Sequence, residues 1–409
     1  MIAKISKVTD PHTWTSLKSY YSNTKIVIDN NGDLSDSINT TVGVKQGGPL
    51  SPFLFSLYTE ELIEILQSRK NHGTALNTGV IMYADDIMIV ANKKWKINAA
   101  LNICQRYGDE NQIKWNPTKT QFMEINKGIK QAISAKESRT DIVFCGTKIH
   151  ADKQIRYLGT EISSKMKSSI HVNKRRESTI KTVFSMSSIG LSKRELSSET
   201  RGYLYKTLAR PVLTYGLEPL VITTSDKKKK FTTEGNLVKG LLGLSRNSKT
   251  KNLLGAVGIY PILKKIKISK LTFMENLSRN KFTSNLLNFS IANSSNRNIN
   301  KSFADEVIEI IKEYKEHDEP ILFHGPEPEN YEVSNTPTLE WIIKNLKSTV
   351  SKIKHETKVI MYNNGLTDSI KNTLKMKDKM VSDENNDLSI EILGTLYLLV
   401  KSFSISGIT

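Results

Sequence analysis

The sequence is short of sulfur. Only two cysteines, Cys104 and Cys145, stand among 409 residues, which excludes a disulfide framework or a Cys/His cluster with zinc-ligand spacing and points to a reducing, intracellular setting. Long apolar runs are lacking too. The N-terminal MIAKISKVTDPHTW has no apolar core of signal-peptide length, and the longest late run, Ile390 to Val400, is broken by Glu391, Gly394 and Thr395. Neither a signal peptide nor a transmembrane segment is expected, and no membrane partner; the chain reads as soluble, with nucleus and cytoplasm left open. Acidic residues are the third shortage: 41 Asp plus Glu face 59 Lys plus Arg, a formal net charge of +18. Such an excess favours polyanionic partners, nucleic acid first. A genome rich in Lys and Asn codons would produce the same excess, so charge alone does not choose.

What is present is an α+β order followed by helices. Residues 12 to 22 read as the end of a helix, and TKIVIDNNGDLSDSINTTVGV as two strands around an Asn-Asn-Gly-Asp turn. Ser51 suits an N-cap and Pro52 a first helical position, with Leu54, Leu57, Tyr58, Leu62, Ile65 and Leu66 on one face of a helix of about four to five turns. VIMYADDIMIVANKK reads as two apolar half-strands meeting at an acidic pair; Ile97 to Gln112 then looks helical and TQFMEI a strand. Residues 141 to 163 read as a second hairpin turning near His150 to Asp152. Residues 1–164 therefore form one α+β section, 165–292 a helical one, 293–302 an Asn/Ser-rich linker, and 303–409 a helical C-terminal region without a recognised motif. Arg201 to Tyr215 and Glu234 to Leu244 are the clearest amphipathic stretches, Phe303 to Tyr314 follows the linker, and the run Lys227 to Lys230 reads as a solvated loop.

Two constellations carry chemistry. Asp85 and Asp86 sit between Ile81-Met82-Tyr83-Ala84 and Ile87-Met88-Ile89-Val90, where neighbouring carboxylates repel and have no packing value, so something cationic should neutralise them. Hard oxygen ligands of this kind suit Mg²⁺ rather than zinc. The alternative is an ordinary type I′ turn that happens to use Asp-Asp. In GVKQGGPLSPFLF, Gly43, Gly47 and Gly48 let backbone amides approach a bound chain or triphosphate, Gln46 offers donor and acceptor, and Lys45 offers charge. A glycine-rich turn opening a helix is favourable for anions; alone, it is equally a tight loop before a capped helix.

Together these residues resemble the reverse transcriptases of non-LTR retrotransposons and, less closely, of group II introns. Gly43 to Phe55 matches the pattern G-x-x-Q-G-x-x-L-S-P-x-L-F, and Tyr83-Ala84-Asp85-Asp86 the YADD strand, in the right order and spacing. Asn116-Pro117-Thr118-Lys119-Thr120 is similar to the family's lysine-bearing motif, Tyr157-Leu158-Gly159 to its primer-grip hairpin, and Arg210 to Gly216 to a segment that follows the palm. The resemblance implies a partial palm, with an antiparallel sheet and packed helices, over 1–164, an all-α thumb over 165–292, and catalysis with Mg²⁺ or Mn²⁺ on an RNA template, a DNA primer and dNTPs. It implies that Asp85 and Asp86 bind metal and that Tyr83 and Ala84 line the primer end. Gln46, Gly47 and Gly48 would position nucleotide or template, Lys119 would protonate the departing pyrophosphate, and Tyr157, Leu158 and Gly159 would hold the primer. For Lys119 an ordinary loop lysine is an equal reading.

The chain departs from the family in one respect. A third carboxylate belongs on an earlier palm strand, but Met1 stands only 42 residues before Gly43, room for a helix and a hairpin and not for that strand. Asp10, before Pro11, reads as a cap; Asp29 follows Ile26-Val27-Ile28 but sits at the lip of the hairpin. The expectation is a truncated element product without fingers, inactive alone, or a nucleic-acid-binding protein that works without chemistry.

Overall fold

The computed structural model describes residues 5–22, 24–39, 47–67, 79–125, 141–186, 196–292, 301–315, 337–362 and 365–382. The fold is α+β, with short antiparallel strand pairs among helices. It divides into two compact units, residues 1–155 and 156–409.

In the first unit, helix α1 (Pro11–Ser22) starts from Asp10. That carboxylate accepts the backbone N–H groups of His12 and Thr13, each at 3.0 Å, and the Thr13 hydroxyl at 2.6 Å, satisfying donors that a helix start leaves open. The Thr13 bonds hold the Asp10 carboxyl below its usual 3.8. The first hairpin follows as expected: β1 (Lys25–Ile26) pairs with β4 (Ile38–Asn39), and β2 (Asp29–Asn30) with β3 (Asp33–Leu34). Its turn, Asn31-Gly32, has φ of +56° and +100°, and Asp29 fastens it by accepting the Gly32 N–H at 2.8 Å.

Helix α2 (Ser51–Gln67) turns Leu54, Leu62 and Leu66 inward, and α3 (Lys94–Glu110) answers with Ala100, Leu101, Cys104 and Tyr107. Ser51 is the first helical residue rather than the cap, a one-position shift of the kind helix ends commonly show. The Tyr107 hydroxyl donates to the Tyr58 carbonyl at 2.7 Å and the Tyr58 hydroxyl to that of Asn111, tying α2 to the end of α3. Strand pairs β5 (Gly79–Tyr83) with β6 (Asp86–Val90), and β7 (Ile142–Phe144) with β8 (Thr147–Ile149), pack on these helices around one apolar core. Each fully buried Leu in such a core contributes about 1.5–3 kcal/mol. Burial pushes the Cys104 thiol up to about 12, leaving it a packing residue.

Two strand expectations need correction. Residues 141–163 form two hairpins, with turns at Cys145-Gly146 and Leu158-Gly159, not one turning near His150 to Asp152. Both turns place two successive residues at positive φ, the geometry that matches strand twist, and their glycines were the signal overlooked. TQFMEI makes only an isolated bridge, Phe122 to Ala151, with the Asp152 N–H donating to the Phe122 carbonyl at 2.8 Å.

The second unit opens with β9 (Gln154–Tyr157, whose first residues close the first unit) and β10 (Thr160–Ser163), followed by α4 (Ser168–Met186). Next come α5 (Ser198–Leu204), a π-helical turn (Tyr205–Ala209) and α6 (Arg210–Thr214). The π turn precedes Pro211, which has no N–H to continue the α pattern; the Arg210 N–H instead reaches the Tyr205 carbonyl, five residues back. Then follow α7 (Thr224–Leu241), α8 (Thr250–Ala256), α9 (Ile262–Arg279), α10 (Lys281–Ala292), α11 (Phe303–Tyr314), α12 (Leu339–Tyr362) and α13 (Gly365–Ser382). Helix α11 begins at a reciprocal cap between Ser302 and Asp305 and buries Val307, Ile308, Ile310 and Ile311.

One core gathers Leu271, Met274, Leu287 and Ile291 with Val307, Ile342 and Ile353, so residues 165–292 and 303–409, separate in the sequence reading, share an interior. The linker residues 293–300 lie outside the described residues. The lysine run also needs correction: Lys227 to Lys230 lies within α7, which begins ten residues before the expected Glu234. Lys230 is fully buried and donates to the Leu213 carbonyl at 2.6 Å.

Candidate active site

The β5–β6 ladder pairs Tyr83 with Asp86, leaving Ala84-Asp85 as a two-residue turn. The pairing sorts side chains by face: Val80, Ile87 and Ile89 pack against the core, while Ile81, Tyr83 and Asp86 are exposed, Tyr83 by 64%. Asp86 thus stands opposite Tyr83 on the exposed end of the ladder, with Asp85 beside it at the turn, also exposed. Ala84 has φ of +51°, the left-handed region that L side chains rarely adopt, whereas Asp85 does not. The turn is therefore not the I′ turn over Asp-Asp that the alternative reading required. The I′-like turns are those at Asn31-Gly32, Cys145-Gly146 and Leu158-Gly159.

Gly47, at φ +75°, and Gly48 precede α2, and the Ser51 N–H donates to the Gly48 carbonyl at 3.1 Å. An added Cβ on Gly47 would meet nothing within 4 Å, so glycine is needed there for backbone conformation rather than for space. Gln46 and the rest of the loop back to residue 40 lie outside the described residues. Lys119 is exposed on a turn organised by Asn116, whose side-chain oxygen accepts from Thr118 N at 3.1 Å and Lys119 N at 3.2 Å. Asp29, the other candidate carboxylate, is engaged in its own hairpin turn.

Asp85 at the turn and Asp86 beside it at the start of β6 could offer hard oxygen donors of the kind Mg²⁺ takes, but only part of the six it needs. Among the described residues no group of three or more His, Cys, Asp or Glu side chains gathers to hold a metal ion. None of the described helices is long and apolar enough to cross a membrane.

Tyr157, Leu158 and Gly159 belong to the β9–β10 hairpin, with Leu158 at φ +45° and Gly159 at φ +74°. Sequence reading missed what lies behind that turn. His171 of α4 is fully buried; its Nδ1 accepts the Glu161 N–H at 3.1 Å and its Nε2 lies 2.8 Å from the Tyr215 carbonyl. The Tyr215 hydroxyl donates to the Leu158 carbonyl at 2.7 Å, and the Arg175 guanidinium lies 5.6 Å from the Tyr215 ring centre. Nothing in a lone histidine of a basic helix signals this; the only hint was the resemblance of the segment ending in Tyr215-Gly216. Deeper in the unit, Arg210 pairs with Glu234 at 2.9 Å and donates to the Tyr260 carbonyl, and Lys270 pairs with Glu306 at 3.2 Å.

Residues 2–162 match the family described as reverse transcriptase (RNA-dependent DNA polymerase). The chain is also 23% identical over 227 residues to the RNA-directed DNA polymerase from mobile element jockey of Drosophila funebris. That alignment covers 53% of this chain and 24% of the relative, so the chain corresponds to a minor part of the relative's length. The order of glycine-rich turn, helix and YADD hairpin in the first unit falls inside residues 2–162, the part of this chain that is similar to reverse transcriptases, and the mobile-element polymerase it resembles supports the non-LTR retrotransposon type.

Proposed function

We propose that the chain takes part in RNA-directed DNA synthesis, extending a DNA primer on an RNA template with dNTPs. The observation that carries this reading is the pair Asp85 and Asp86, exposed at the end of an apolar hairpin whose turn holds Ala84 in the left-handed region. Two adjacent exposed carboxylates at a turn with a left-handed alanine are poor packing and good cation ligands. Bound metal, Mg²⁺ or Mn²⁺, would supply the Lewis-acid chemistry that nucleotidyl transfer to a primer hydroxyl needs. Asp85 and Asp86 would hold the ions, Tyr83 and Ala84 would line the primer end, and Gln46, Gly47 and Gly48 would position the nucleotide or template. Lys119 would donate a proton to pyrophosphate, and Tyr157 to Gly159 would hold the primer. Residues from about 165 would serve as a thumb on the duplex backbone. Because one turn supplies only part of a two-ion donor set, turnover is expected to be weak unless another carboxylate is brought to it.

Primer extension on an RNA template in Mg²⁺ or Mn²⁺, comparing the chain with Asp85→Asn, tests this. Extension lost in Asp85→Asn is the expected result; extension indifferent to that change overturns the reading.

A second reading, nucleic-acid binding without chemistry, is favoured by the net charge of +18. It predicts affinity that falls steeply with salt, by about 10³–10⁵ between 50 and 200 mM if six to ten phosphates are contacted, and that is indifferent to Asp85→Ala.

A further inference from the structure

We propose that His171 and Tyr215 are positioning residues that latch the β9–β10 hairpin from behind and so set where its tip, Leu158-Gly159, meets the primer. This rests on the reading of that hairpin as primer-holding.

The latch has three fastenings. The Tyr215 hydroxyl donates to the Leu158 carbonyl at 2.7 Å, on the first residue of the turn. His171 accepts the Glu161 N–H on the returning strand, and its other ring nitrogen meets the Tyr215 carbonyl. A carbonyl can only accept and an amide N–H can only donate, so these two neighbours fix the ring as neutral, with its proton on Nε2. Through one imidazole, the strand after the turn and the backbone that carries the Tyr215 ring are held together.

Close packing shows that the arrangement is built rather than incidental. A Cβ on Gly159 would lie 3.2 Å from the Tyr215 ring. A Cβ on Gly216 would lie 2.8 Å from the Thr160 hydroxyl and 3.0 Å from His171 Nε2. Both glycines have positive φ, +74° and +68°. Meanwhile Leu158 stays 37% exposed, so the hairpin is tied on one side and open at its tip.

The same geometry makes the latch sensitive to acid. A proton on Nδ1 would abolish its acceptor role and expel the Glu161 N–H. The charged groups facing the ring are Arg175 on its own helix, Lys230 from α7 and Glu161 from β10. Burial first, then Arg175 and Lys230, lower the imidazole below its ordinary 6.5, against the Tyr215 carbonyl and Glu161, which raise it. A folded value below the unfolded one means the latch is at full strength above about 6.5 and loses strength as pH falls through that value toward the lowered one.

The experiment measures hydrogen exchange of the amides of residues 157–161 and anisotropy of a fluorescein-labelled RNA/DNA primer–template duplex, with the full chain, at pH 7.5 and 5.5. Tyr215→Phe, which deletes one surface hydroxyl and keeps the ring, is expected to speed exchange at the hairpin and weaken duplex binding about two- to tenfold, while exchange in α4 stays as in the parent. In the parent chain, acid is expected to weaken duplex binding. The sign is diagnostic, because added positive charge alone would tighten a basic protein on a polyanion. His171→Asn keeps an acceptor for the Glu161 N–H and cannot titrate in this range, so its binding should no longer weaken in acid. Acid weakening that survives His171→Asn, or hairpin exchange unchanged in Tyr215→Phe, overturns the latch. A loosened hairpin with unchanged duplex affinity overturns the proposal differently: the latch exists, and the primer-holding reading of the hairpin is what fails.

Discussion

In residues 1–155 the described interior is apolar, built from Leu62, Leu66, Leu101, Cys104 and Phe144 with only Ser51 and Thr59 as buried polar residues, and charge stays outside it. In residues 156–409 the interior admits charge: Arg210 with Glu234, Lys270 with Glu306, and Lys230 on a backbone carbonyl. The contrast separates two ways of specifying a fold. An apolar core is set by the period of its side chains and tolerates exchanges of similar volume. A charged interior depends on each partner being in place, because a buried ion without its mate costs more than the pair gains.

Removing half of the best-buried pair should show the contrast most strongly. Glu234→Ala, which leaves the Arg210 guanidinium 6% exposed and without its carboxylate, is expected to destabilise the chain by about 3–5 kcal/mol in urea denaturation. Replacing charge by shape should act in the opposite direction. Lys230→Met removes the cost of burying an ammonium and is expected to stabilise the chain at pH 6, less whatever the Leu213 carbonyl loses with its donor. Burial, with Arg175 repelling, brings the Lys230 ammonium down from 10.5 to about 7. The unfolded chain therefore holds that proton between about 7 and 10.5 while the folded one has released it, so parental stability should rise across that window and the advantage of the Met variant should shrink. A constant advantage from pH 6 to 10 would refute the assignment.

In the apolar unit the corresponding test is steric. A Cβ on Gly108 would lie 2.3 Å from Trp115 Nε1, which donates to the Cys104 carbonyl at 2.8 Å. Although Ala is preferred over Gly in helices by about 1 kcal/mol, overpacking costs about 1–3 kcal/mol, so Gly108→Ala should destabilise, with a change in tryptophan fluorescence. A more stable variant with unaltered fluorescence would show that the indole can move aside. The smallest effect belongs to the acidic turn. Ala84→Gly relieves a conformation that costs an L residue about 1–2 kcal/mol but adds about 0.5–1 kcal/mol of unfolded-chain entropy, a net gain of at most about 1.5 kcal/mol in thermal denaturation.

The same contrast explains what could be read in advance. Helix α2, the first hairpin, the β5–β6 pair and α11 follow from periodicity, turn residues and caps, and the YADD and glycine-rich segments stand out because paired acids and clustered glycines are conspicuous. The Lys227–Lys230 run was misread because four lysines look solvated, and nothing local says that the fourth has a carbonyl waiting 17 residues earlier in the chain. His171 was passed over for a similar reason: its two partners lie 10 and 44 residues away. The paired hairpins in 141–163 were legible, and the Cys-Gly and Leu-Gly dipeptides should have outweighed the His-Ala-Asp stretch between them.

The wide turn at Tyr205–Ala209 sets a phase. Each residue of an α-helix advances the side-chain direction by about 100°, so one residue more or fewer at this point rotates everything up to Tyr215 by roughly that angle. Deleting a single residue there would leave the composition of the segment nearly intact while swinging the phenol away from Leu158 and Arg210 away from Glu234. Length at this one turn, rather than the identity of any residue in it, is the variable by which the aim of the segment could be adjusted.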